Sequence, residues 1–172
     1  MKNVIHVLGA RPNFIKAAPL IKRMNKLSHV NNIVLHTGQH YDKNMSGQFF
    51  DDLGIPKPDI NLGLGGGSHA IQTAEIMKGC EKVFEEYNPN VVVVYGDVNS
   101  CVAATLVASK MGIKISHIES GLRSGDRTMP EEINRLVTDT LSDYLFVTCE
   151  DAISNLKNEG VNHEKIFFVG NT

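Results

Sequence analysis

The chain has 172 residues, with 17 Lys+Arg against 19 Asp+Glu and a formal net charge of −2. That length makes one domain with a full hydrophobic core, and the near-neutral balance offers no cationic surface for nucleic acid or an anionic membrane. No apolar stretch approaches a membrane span and no signal-peptide pattern opens the chain. Cys80, Cys101 and Cys149 are too far apart for a zinc site or a disulfide framework, a usage that fits a reducing cytoplasm.

Residues 4–8 are a short apolar run ending at Gly9, which predicts a first strand. A helical pattern follows from Pro12, a residue suited to a first helical turn. Pro19 lies inside that pattern and cannot donate to the carbonyl of Ile15, so a kink is expected there. Residues 33–36 predict a second, weaker strand closing at Thr37-Gly38. About thirty residues rich in Gly, Asp and Asn follow, with one short helix expected near 45–53; so long a weakly structured segment suits a lid or binding loop.

Helical spacing resumes over 70–87, and VVVVY at 91–95 is a β-branched run of the kind found in central parallel strands. Asn99 or Ser100 is positioned to cap the next helix, which Gly112 ends. A strand is predicted at 114–118 and a helix at 130–141, with Ile133, Leu136, Val137 and Leu141 on its apolar face. A strand at 144–147, a helix near 150–158 and a strand at 166–169 complete the chain. Strand and helix alternate throughout, so the fold class is α/β: a Rossmann-like three-layer domain with a parallel sheet, occupying 1–172 as a single domain.

Several residue groups carry chemistry. The first strand-to-helix turn, Gly9-Ala10-Arg11-Pro12, lacks the three glycines of a dinucleotide fingerprint, and no GxxxxGK[ST] occurs. The cluster Gly63, Gly65, Gly66 and Gly67 follows no convincing strand. Arg11 and Lys16 stand at and inside a helix N-terminus, where a cationic pair beside unpaired amides suits a phosphate or carboxylate; solvated surface charge is the alternative for Lys16 alone. Asp97 ends the VVVVY strand, either as an acid aimed into a ligand crevice or as a turn residue. Period-two alternation puts His117 and Glu119 on one strand face, with Arg123 or His117 as the expected partner of the Glu119 carboxylate. Glu131 and Glu132 open a helix, where the macrodipole favours acids, and Glu131 can pair with Arg135 at i,i+4. Taken with Asp97 and Glu119 they form an acid cluster without metal-ligand spacing, suited to proton transfer. Gln39 and His40 are candidates to bond a ligand or orient the loop; His6 reads as a satisfied core residue.

Together these segments resemble the non-hydrolysing UDP-N-acetylglucosamine 2-epimerases: GARPNFIKAAPLI (9–21), TGQHYD (37–42), YGDVNS (95–100), HIESGLRS (117–124), MPEEINR (129–135) and a terminal VGNT. The resemblance implies the N-terminal half of a two-domain fold like that of GT-B glycosyltransferases, with the active site in the cleft between halves and the C-terminal nucleotide-binding domain absent. It implies elimination of UDP from C1 as a base takes the C2 proton, through 2-acetamidoglucal, then re-addition, interconverting UDP-GlcNAc and UDP-ManNAc. Asp97, Glu119 and Glu131 would be the catalytic carboxylates, and Arg11, Lys16, Gln39, His40 and Arg123 would bind substrate. No metal or cofactor is implied; a cytoplasmic homodimer supplying cell-envelope sugar is. Isolated from its second half, the chain would turn over little or nothing. Alternatives are a related enzyme on another UDP-sugar, including a hydrolysing epimerase, and a non-catalytic half of a split sugar-nucleotide-binding protein. Departures from the family pattern are GARPN for GTRPE, ESGLR for EAGLR, a shorter spacing from Glu119 to PEE, and Asp42 where substrate-activated members carry a second Gln.

Overall fold

In the computed structural model the described residues are 1–38, 50–52, 54 and 57–171. Their elements run β1 (Lys2–Leu8), α1 (Arg11–Met24), β2 (Val30–His36), β3 (Ile60–Asn61), α2 (His69–Tyr87), β4 (Val91–Tyr95) and α3 (Asn99–Lys110). Then come β5 (Lys114–Ser120), α4 (Pro130–Leu141), β6 (Tyr144–Val147), α5 (Glu150–Asn158), a 3-10 turn at His163–Lys165 and β7 (Ile166–Phe168). The strands form one parallel sheet in the order β3-β2-β1-β4-β5-β6-β7. Alternation along the central strands sorts their side chains into two cores. Ile5, Val7, Val92 and Val94 pack with Ile76, Phe84 and Val107 on the α2 and α3 side. Val4, Leu8, Val93 and Tyr95 pack with Phe14 and Ile21 of α1 on the other. This is the expected three-layer arrangement. A smaller cluster, Leu145, Val147, Ala152 and Leu156, seats α5 against β6.

Several local expectations are revised. The long segment after Thr37 contributes a two-residue strand, β3, on the sheet edge, and Leu62 and Leu64 pack onto the core beside Gly79. The helix expected near 45–53 lies outside the described residues except at 50–52, which are helical. Helix α1 runs without interruption through Pro19. Neither Asn99 nor Ser100 caps α3. Val98 holds the N-cap position, while Ser100 meets the Thr37 hydroxyl at 2.7 Å and Asn99 donates to Gln72 at 2.7 Å.

Helix α4 departs most from its apolar pattern. Its buried residues are Glu132, Asn134, Thr138 and Asp139, while Ile133 is 44% exposed. A helix that turns its polar stripe inward is stable only if most of that stripe is paired; the Glu132, Asn134 and Asp139 side chains are, while the Thr138 hydroxyl has no partner among the described residues.

Candidate active site

The chain leaves β1 toward β2 on one side and β4 toward β5 on the other, so the strand order reverses between β1 and β4. In open α/β sheets ligands bind beyond the carboxyl ends of strands at such a reversal. Two turns face each other there, Gly9-Ala10 after β1 and Gly96-Asp97 after β4. Asn13 ties them together. Its side-chain oxygen accepts from the amides of Gly9 (3.2 Å) and Ala10 (3.0 Å), and its amide nitrogen donates to the Tyr95 carbonyl at 2.9 Å. These two amides, which precede α1, are therefore already occupied. Arg11 opens α1 and is exposed. Lys16 is not a solvated surface charge: its ammonium pairs with the Glu119 carboxylate, the two side chains 30% and 20% exposed.

Glu119 reaches Lys16 because β5 is irregular. The pairing with β6 slips between Ile118 and Ser120, and Glu119 has φ +68°. A non-glycine residue in the left-handed region stores about 1–3 kcal/mol and persists only where its surroundings enforce it. The slip swings the carboxylate away from the His117 face and onto the face of Ile118 and α1, which corrects the alternation argument. Glu119 and Lys16 line a cavity of about 540 Å³ whose walls include Val93, Ile118 and Phe146. Across the turn, Glu119 Oε2 would lie 3.5 Å from a β-carbon built on Gly96, so this acid stands beside the residue that precedes Asp97.

Asp97 pairs with Arg135 of α4, and the same guanidinium donates to Glu132 at 2.9 Å. Glu132 also accepts from the amides of Ser124 (3.0 Å) and Gly125 (3.1 Å). Burial opposes its ionisation, but those amides and Arg135 outweigh it and hold its pKa down to about 2. The expected Glu131–Arg135 pair is replaced by Glu132–Arg135, one residue closer along the helix. The side chain of Glu131, half-buried in the first turn, makes no hydrogen bond or ion pair among the described residues. The adjacent acids thus divide: Glu132 closes the loop through the Ser124 and Gly125 amides, and Glu131 does not.

Arg123 is not the partner of Glu119. Its Nε and Nη2 bond Glu159 at 2.7 and 2.6 Å, and its Nη1 meets the Leu122 carbonyl at 2.7 Å and Asp139 at 2.8 Å. Each of its guanidinium nitrogens is engaged inside the chain. His117 is fully buried, with Nδ1 2.6 Å from Asp139 Oδ1 and Nε2 2.8 Å from the Gly96 carbonyl. Asp139 Oδ2 further accepts from the Gly121 amide at 3.0 Å. Gln39 and His40 lie outside the described residues. His6 is satisfied as expected, accepting from the Tyr95 hydroxyl at 2.7 Å and donating to Asn32; burial lowers its pKa to about 4 and keeps it neutral.

Asn13 and Asp139 were not singled out from sequence as members of the site, and Arg135 only as a partner for Glu131. For the two on helix α4 a signal was available. Glu132, Arg135 and Asp139 recur at i, i+3 and i+7, one stripe of a helix, and that stripe rather than Ile133 and Leu136 faces inward.

The sequence model of the UDP-N-acetylglucosamine 2-epimerase family matches residues 22–172. The chain belongs to that family. It is 52% identical over 167 residues to a UDP-N-acetylglucosamine 2-epimerase homolog of Methanococcus maripaludis, covering 97% of this chain and 46% of that protein. It is 48% identical over 169 residues to the UDP-2,3-diacetamido-2,3-dideoxy-D-glucuronate 2-epimerase of Pseudomonas aeruginosa, covering 97% and 48%. The crystal structure of Methanocaldococcus jannaschii UDP-GlcNAc 2-epimerase in complex with UDP-GlcNAc and UDP superimposes with a TM-score of 0.94 at 47% identity, over 99% of this chain and 47% of that one. The chain thus spans about half the length of the epimerases it matches and shares the Rossmann-like fold of that half. Among the described residues no helix is long and apolar enough to cross a membrane.

Proposed function

We propose that this chain is the N-terminal half of a non-hydrolysing UDP-N-acetylglucosamine 2-epimerase, with Asp97, Glu119 and Glu131 as its catalytic carboxylates. The observation that carries the proposal is the convergence of Asp97 and Glu119 on Gly96 at the sheet's reversal point, with Lys16 against Glu119 and Arg135 against Asp97. The C2 proton of the sugar has no carbonyl beside it, so its removal must be coupled to departure of the diphosphate. One carboxylate takes that proton while the C1–O bond breaks and its electron pair leaves on UDP, forming 2-acetamidoglucal. A second carboxyl returns a proton to the other face of C2, and UDP adds back at C1. Arg11 and Lys16 lie on the β1 side of the crevice as cations for the diphosphate; Lys16 exchanges Glu119 for phosphate as substrate enters. Arg123, enclosed by Asp139 and Glu159, holds the loop.

We place the protein in the cytoplasm as a homodimer, each copy completed by a second domain that carries most of the uridine pocket. The experiment is proton NMR in D2O with UDP-N-acetylglucosamine, following C2, on this chain combined with a C-terminal half. Epimer with deuterium at C2 is expected, with Glu119→Gln and Asp97→Asn slowing it by about 100-fold or more. Free sugar in place of epimer would mean hydrolysis, and no exchange with any UDP-2-acetamido sugar would overturn the assignment. The Pseudomonas aeruginosa relative supports a second reading, a 2-acetamido uronate as the substrate. Offering both sugars to the same preparation decides between them through kcat/KM.

A further inference from the structure

His117 and His6 are both fully buried, yet their partners differ in kind. His6 faces one group that can donate, the Tyr95 hydroxyl, and one that accepts, Asn32 Oδ1, so a single ring proton satisfies it. His117 faces two acceptors. The Gly96 carbonyl at Nε2 can only accept, and so can the Asp139 carboxylate at Nδ1 while it is ionised. Asp139 Oδ2 is held by the Gly121 amide and the Arg123 guanidinium. Burial raises the Asp139 pKa, but His117 and Arg123 outweigh that and bring it below the ordinary carboxylate range. Satisfying two acceptors takes two ring protons, the number an imidazolium carries.

The ring's partners lead directly to both proposed catalytic acids. Gly96 immediately precedes Asp97. Gly121, bound to Asp139, lies two residues after Glu119, whose left-handed backbone must be enforced from outside. We infer that His117 is a positioning residue: as a buried imidazolium clamped between Gly96 and Asp139, it fixes the end of β4 that carries Asp97 against the irregular stretch of β5 that carries Glu119. The inference rests on Asp97 and Glu119 being the catalytic acids. His117 itself sits beneath the crevice and acts only through them. A shift of about 1 Å between reacting groups lowers turnover by about 100-fold, so a clamp of this kind shows in kcat before it shows in binding.

Two measurements test it. In this chain, nitrogen-resolved NMR of the His117 ring at neutral pH should show both ring nitrogens protonated. A single ring proton overturns the charged clamp. In the two-domain protein proposed above, His117→Gln should lower kcat for C2 exchange by about 100-fold with KM within about threefold. Unchanged kcat, or a rise confined to KM, overturns the positioning role. Asp139→Asn, which keeps the ring and the shape of the carboxyl, is read in the same way and replaces His117→Gln if that variant does not fold. If the wild-type protein exchanges no C2 proton, the functional reading has failed, and the ring-proton count still decides whether the clamp exists.

Discussion

Gly121→Ala is the most informative single substitution for the loop that carries Glu119. Gly121 has φ +79°, and a β-carbon there would come within 2.6 Å of the Ala152 carbonyl oxygen and 3.0 Å of both Ala152 Cβ and Leu156 Cδ1. The oxygen belongs to the backbone of α5, packed on β6, so it cannot swing aside as a flexible side chain would. The left-handed conformation costs alanine about 1–2 kcal/mol, and overpacking adds roughly 1–3 kcal/mol, about 2–5 kcal/mol in all. For a chain of this length each kcal/mol moves Tm by about 2–4 °C, so a fall of about 4–20 °C is expected. Gly112→Ala is the control. Gly112 has a similar φ of +71°, but no atom of the described residues comes within 4 Å of the place its methyl group would take. Only the backbone penalty applies there, and Tm should fall by about 2–8 °C. Paired thermal unfolding followed by circular dichroism reads both. Equal losses in the two variants would refute the steric argument and with it the tight seating of the loop on α5.

Three further outcomes are expected. Glu132 has a folded pKa of about 2 against an ordinary 4.5, so its contribution is fully present above 4.5 and is lost as pH falls toward 2; acid unfolding of Glu132→Gln should show a shallower loss of stability across that window than wild type, and parallel curves would count against the network. Asn13→Ala strands the buried amides of Gly9 and Ala10, while the Tyr95 carbonyl keeps the Cys101 thiol as a donor, and urea titration should show a loss of about 1–3 kcal/mol or more, whereas a change below about 0.5 kcal/mol would mean that water replaces the side chain. Burial pushes the Cys80 and Cys101 thiols up to about 12 while Cys149 is only partly buried, so a thiol reagent should titrate one cysteine in the native protein and three in urea; rapid reaction of all three would contradict the packing of α2 and α3.

Much of the fold was legible because its signals are local. VVVVY can hardly be anything but a buried parallel strand, and the alternation of strand and helix restricts the connections to a parallel, two-sided sheet. Asp97 and Glu119 were legible as strand-end acids for the same reason, and the motifs around them carried the family. What lay beyond sequence reasoning depends on contacts between residues distant in the chain. Strand β3 is too short to leave a pattern, and the bonds that make it come from β2. Helix α4 shows an apolar stripe to a periodicity count, yet buries its charged one, because Asp97, His117 and Arg123 supply partners that no local rule can see.

The sequence by itself determined the α/β class, the parallel sheet, the strand-end acids and the family, since each is written in the spacing or identity of near neighbours. Only the tertiary structure decided which acid pairs with which cation. Arg135 meets Asp97 across 38 positions, and Lys16 meets Glu119 across 103, the latter through a backbone irregularity at Glu119 that strand alternation argues against. A side chain's partner depends on where the packed sheet brings two distant backbones together, and the stored strain at Glu119 is sustained by that packing rather than by the residues on either side of it.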